Sequence, residues 1–200
     1  MKRILVLAML ATGLVGCRGG VLDSGGWNDD PKPAAAPDEP QAKRRDSPLP
    51  VGANVPAFSV ADQEGRAVTA GELAVGPGAV LVFVPGNDPG AAGVVYTWAR
   101  REQNFLKGRG LELLLVLRSD VETAATVAGR EELRMALLAD TKGTLGGTFG
   151  VGATSGTHTF LLVEGRVHLA QPGLPDSASL VFAASSRPGN RSGSIIGDIF

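Results

Sequence analysis

An α/β sandwich, with a mixed central sheet flanked by helices, is the fold class this sequence predicts, and three observations predict it. Ala79–Val84 and Leu111–Leu117 are continuous apolar runs bounded by glycine, proline or polar residues, the pattern of strands buried on both faces. Each is followed by a polar turn and a stretch of helical periodicity, so strands alternate with helices around a mixed sheet. Near the end, His158–Val163 and Arg166–Ala170 flank the turn Glu164-Gly165, an antiparallel hairpin added to that unit.

The elements follow in order. In Val51–Val60, Pro56 prevents helix and Phe58 alternates with Val60 on one face of a strand. Asp62–Gly65 is a polar turn, Ala67–Thr69 resumes extended structure, and Gly71–Leu73 forms one helical turn. After Ala79–Val84 comes Asp88-Pro89, a capping carboxylate followed by proline at the first helical position. In the helix that follows, Ala91, Val94, Val95, Trp98 and Phe105 are expected to face the sheet, with Arg100, Arg101 and Glu102 in water, until Gly108 and Gly110 stop it. Ser119-Asp120-Val121-Glu122 has capping-box spacing and opens a second helix or pair of helical turns reaching Arg134. Met135–Ala139 is a third short apolar run, and Lys142–Gly150 is a glycine-rich loop with a weak helix. Pro175–Ala183 is a final amphipathic helix capped by Asp176 or Ser177, with Leu180, Val181 and Ala184 inward. The globular domain is therefore expected over 51–184, and residues 185–200 as a flexible tail ending in the apolar stretch Ser194–Phe200.

The start of the chain carries an address. Lys2 and Arg3 precede the apolar run Ile4–Val15, a basic region and an apolar core of secretory length that is too short to span a bilayer. It ends in Leu14-Val15-Gly16-Cys17, which resembles the lipobox of bacterial lipoproteins. That resemblance implies a signal peptide over 1–16 and diacylglycerol on Cys17, the chain's single cysteine. Acyl chains contribute ~0.8 kcal/mol per buried methylene, so the expected partner is a membrane and the expected location the cell envelope. Arg18, rather than Asp, follows the cysteine, which by the enteric sorting rule favours the periplasmic face of the outer membrane in a Gram-negative organism. Residues 17–50 contain Pro31, Pro33, Pro37, Pro40, Pro48 and Pro50 among mixed charges and are expected to be a disordered tether, with Lys43–Arg45 solvated. The formal net charge of −1 gives no reason to expect nucleic acid as a partner.

From Pro50 to Ala184 the residues resemble a family, the peroxiredoxin (AhpC/TSA, redoxin) branch of the thioredoxin fold. The resemblance rests on Val51–Phe58 with Asp62 and Gly65, on Val80–Pro85 with Pro89-Gly90, on Leu137–Asp140 with Gly143 and Phe149–Val151, and on Thr159–Val163 with Gly165. It implies a thioredoxin-like sandwich and a reactive site at the turn after Val84. The family's chemistry there needs a cysteine in the first helical turn, a Thr or Ser three residues earlier and a distant Arg. Counted without a gap, those positions hold Ala92 and Pro89. With one deletion they hold Ala91 and Asp88. Tyr96 or Thr97 stands at the resolving position, and Thr157 matches the Arg. The resemblance thus marks Pro85, Asp88, Pro89, Gly90, Ala91, Ala92, Thr157, His158 and Thr159 as a vestigial site, with no catalytic residue, no metal and no cofactor.

Other groups read more plainly. His158 stands where thioredoxins carry their cis-proline, and with His168 on the neighbouring strand it offers two imidazoles without a third ligand, a poor metal site. Asp140 reads as a turn or cap residue. Gly143–Gly150 lacks the Lys-Ser or Lys-Thr of a phosphate cradle, and Ser119 and Ser155 have no readable triad. Trp98 reads as core, and either it or Tyr96 could line a cleft. The expectation is a membrane-tethered domain without its own thiol chemistry, a binding or scaffolding module with a possible envelope protein partner. The alternatives are a thiol-dependent antioxidant or oxidoreductase of the AhpC/TSA class working with a partner's cysteine, and metal carriage near His158.

Overall fold

The structure, a computed structural model, describes residues 44–153 and 155–186. Cys17, the leader expected over 1–16, most of the tether expected over 17–50 and the terminal stretch Ser194–Phe200 lie outside the described residues.

Two short strands, β1 (Ser59–Ala61) and β2 (Ala67–Thr69), form an antiparallel hairpin. Thr69 and Glu72 make a reciprocal capping box that starts α1 (Ala70–Val75), so the lone helical turn expected at Gly71–Leu73 is a six-residue helix. Then follow β3 (Ala79–Phe83), α2 (Pro89–Gly108), β4 (Glu112–Leu117), α3 (Val121–Arg130), β5 (Ala136–Ala139), α4 (Thr144–Phe149), β6 (His158–Val163), β7 (Arg166–Pro172) and α5 (Ser177–Ser185). The main sheet runs in the order β5-β4-β3-β6-β7. β3, β4 and β5 pair in parallel, as helical crossovers require, whereas β6 and β7 join antiparallel. Their hairpin turns at Glu164-Gly165, where both residues take positive φ (51° and 71°), the tight turn whose twist matches the strands.

Both faces of the sheet are covered, and the strands alternate between two cores. Val80, Val82, Leu113, Leu115, Leu137 and Leu161 point to one side, where α2, α3 and α5 pack through Val95, Trp98, Leu106, Ala124 and Leu180. Leu81, Phe83, Leu114, Val116, Leu138 and Phe160 point to the other, against Leu73, Leu145 and Phe149. Phe149 is the hub of that second core, edge-on to Phe58 and Phe160 and tilted against Phe83.

Several expectations change. The inward face of α2 is turned from the one expected: Ala92, Val95, Tyr96, Trp98, Ala99 and Leu106 are buried, while Val94 and Phe105 are exposed. Small Ala92 and Ala99 let the helix lie close to the sheet, and Phe105 instead lies under the Arg109 guanidinium, 5.1 Å from the ring centre. Glu102 does not simply face water: it accepts a 2.6 Å hydrogen bond from the Ser177 hydroxyl and ties α2 to α5. The second helix is capped by Asp120 rather than Ser119, and it ends at Arg130 instead of Arg134.

The packed domain also begins earlier than expected. Arg45 donates its amide to the Gly147 carbonyl (2.9 Å), Leu49 donates to Phe149 (3.0 Å), and the Leu49 side chain is 1% exposed inside the second core. Gly150, at φ +72°, passes so close beneath Ser47 that a Cβ there would overlap the Ser47 carbonyl. Residues 44–50 are thus a docked strap along α4, not part of a free linker.

Candidate functional site

β3 and β6 are antiparallel neighbours with Phe83 opposite His158, so the turn leaving β3 and the start of β6 meet at one end of the sheet. Pro85 is buried, and Gly86 to Gly90 lie exposed on the turn and the first residues of α2. Asp88 caps the helix: its carboxylate accepts the Ala91 amide at 3.0 Å, and its carbonyl accepts the Ala92 amide at 2.9 Å. A helix N-terminus attracts negative charge, and here the chain's own carboxylate supplies it. Ala91 is half-buried and Ala92 is buried in the first core, so the first turn offers methyl groups and backbone only. Across the gap, Thr157 receives the Gly173 amide on its carbonyl (2.7 Å), and the Thr159 hydroxyl donates to the Gly173 carbonyl (2.8 Å). Both threonines are engaged in holding β6 to the end of β7.

His158 brings one ring nitrogen, Nδ1, within 3.0 Å of the Gly156 carbonyl. It lies opposite Pro172, whereas His168 is the extra residue of a β-bulge beside Leu161 and Leu162. The register therefore sets the imidazoles some three residues of strand apart, ~10 Å, and among the described residues no three His, Cys, Asp or Glu side chains gather around one point.

The open space near this end of the sheet lies beside the expected site, on the α4 side. A small cavity of about 30 Å³ sits between the turn after β3, the end of β4 and residues 151–153 and 155–156. Phe83, Val116 and Val151 form its apolar part, while Gly86, Arg118, Ser155 and Gly156 lie at its mouth. Ala91, Ala92, His158 and Thr159 do not line it, and neither do Tyr96 and Trp98. Tyr96 is buried on the far side of α2: burial pushes its phenol pKa up, with Arg130 and Glu131 close enough to act on it in opposite senses. Asp140, buried at the cavity wall, accepts the Leu145 amide on one carboxylate oxygen (3.0 Å) and the Gly146 amide on the other (2.8 Å). This is the cap duty its position suggests. Sequence reading missed Arg118, and its only signal was a cation at the end of a parallel strand, where ligands of such sheets gather.

A mixed sheet in this order, with a strand, turn and capped helix opposite the start of an antiparallel hairpin, defines a thioredoxin-like α/β protein. The AhpC/TSA family profile matches residues 51–170, and the chain belongs to that family. The fold is similar to that of a proposed thiol:disulfide interchange protein DsbE from Chlorobium tepidum (21% identity, 68% of this chain and 98% of that one, TM-score 0.58). It is also similar to the peroxidoxin BcpB from Mycobacterium tuberculosis (19%, 67% and 95%, TM-score 0.57) and to a peroxiredoxin-like protein from Aquifex aeolicus (18%, 68% and 86%, TM-score 0.54). No similar protein was found among curated ones.

Proposed function

We propose that this chain is a lipid-anchored AhpC/TSA domain without thiol chemistry of its own, serving as a binding or scaffolding module of the cell envelope. One observation carries the reading: the first turn of α2 presents Ala91 and Ala92 where the family places its nucleophile, and the chain's single cysteine is Cys17 in a lipobox-like sequence. Thiolate chemistry needs a sulfur at that turn and a site that favours its negative charge. Here the sulfur is missing and Asp88 already fills the anionic role. Acylation of Cys17 would take up the remaining thiol and hold the domain at a membrane.

The test is turnover. Purified chain given hydroperoxide and a thiol reductant should consume peroxide no faster than a Cys17→Ser control or buffer. Thiol-dependent turnover above that control would overturn the reading and favour oxidoreductase chemistry.

A further inference from the structure

We propose that the cavity beside Arg118 is a binding site for a short aliphatic carboxylate, of about the size of acetate or propionate. This deepens the reading of the chain as a binding module and rests on it. Its apolar part is made by Phe83, Val116 and Val151, all nearly buried, and contributes no polar atom of a side chain. The charge at its mouth is unbalanced. Asp140 has both oxygens taken by the amides of Leu145 and Gly146, so its charge is already met by backbone dipoles. Arg118 forms no ion pair and no side-chain hydrogen bond among the described residues, although it lines the same cavity.

The Arg118 guanidinium lies over the backbone of Gly143. Gly143, at φ +67°, lies so close under the guanidinium that a Cβ there would come within 2.9 Å of its Cζ. The planar fork thus rests on a bare backbone, with room beside it because Gly86, Gly152 and Gly156 bring no side chains to the rim. A guanidinium fork matches a carboxylate through two parallel hydrogen bonds, and the Ser155 hydroxyl on the same rim is a further donor. The apolar wall selects among anions. A cavity of about 30 Å³ holds roughly two water-sized groups, which suits the two-carbon stem of propionate on Phe83 and Val116 with its carboxylate at the mouth on Arg118, whereas phosphate has no apolar atoms to place there. The same chemistry occurs on a free short-chain acid and on the carboxyl terminus of a peptide.

The full chain, titrated with propionate and followed by ligand-observed saturation-transfer NMR, should bind it saturably. Propionamide and inorganic phosphate should bind at least about tenfold more weakly, and Arg118→Gln should weaken propionate by a similar factor. Arg118 is exposed, so that variant should keep its fold, which an unchanged urea midpoint would verify. N-acetylglycine separates the sources: tighter binding than propionate assigns the site to a peptide terminus, weaker binding to a free acid. Absence of saturable binding, equal binding of propionamide or phosphate, or an unaffected Arg118→Gln overturns the proposal. None of these results bears on peroxide turnover, so the two readings fail separately.

Discussion

Single residues decide how much of this chain is scaffold. Asp88, Asp120 and Asp176 each accept the amide three residues on and so start α2, α3 and α5. Such short-range chemistry can be read from sequence, because cap and first turn are adjacent. Thr148 is a less settled residue. It is 2% exposed on α4, and its hydroxyl has no partner among the described residues. A buried hydroxyl without a partner costs about 1–3 kcal/mol, whereas a methyl group of the same shape would not. Thr148→Val should therefore raise stability by about 1 kcal/mol, seen as a higher urea midpoint at unchanged m-value. A lower midpoint would mean that the hydroxyl is bonded in solution.

At the scale of elements, the alternation of strands and helices and the closing hairpin were legible because apolar runs and turn residues are local signals. Long-range facts were not. The phase of α2 was misjudged because Val94 and Phe105 are the larger apolar residues, yet Ala92, Ala99 and Leu106 fit against the sheet. The strap over α4 was invisible because Leu49 is one apolar residue between two prolines, and its burial depends on a groove formed about a hundred residues later by Phe149 and Gly150. The candidate site divided in the same way. The turn from Pro85 to Ala92 was placed by its own sequence, but the neighbouring cavity is assembled from the ends of three elements, and Arg118 gave no local sign of it. The strap has a direct test. Leu49→Ala removes a side chain that is 1% exposed and should cost about 2–5 kcal/mol. It should also expose Arg44–Pro50 to limited proteolysis. If Leu49→Ala unfolds at the wild-type urea midpoint, residues 44–50 belong to the tether after all.

For the whole molecule, titration links these elements. The Asp62 carboxyl is subject to burial, which raises its pKa, but the amides of Arg66 and Glu64 and the Arg66 guanidinium outweigh this and hold it below the usual value. The Asp62 backbone also forms a β-bridge to Leu138, which lays the β1–β2 hairpin over the outer strand β5. Glu102 is lowered by the Ser177 hydroxyl and then by Arg101, Asp120 by the hydroxyl and amide of Thr123, and Asp176 by the hydroxyl and amide of Ser179. In each case the folded pKa lies below the unfolded one, so the unfolded chain binds more protons in acid. Their stabilisation is complete above the unfolded carboxylate values, about 4, and is lost as the pH falls through the lowered folded values. Tyr96 acts at the other end: its raised pKa favours the fold until the pH rises past the ordinary phenol value of about 10. The urea midpoint should accordingly be level through the neutral range and fall below about pH 4. Asp62→Asn should lower the neutral midpoint and make the acid fall shallower, because one carboxylate fewer takes up a proton on unfolding. An acid slope identical to that of the wild type would show that Asp62 titrates alike in both states and that its carboxylate does not hold the turn from Asp62 to Arg66.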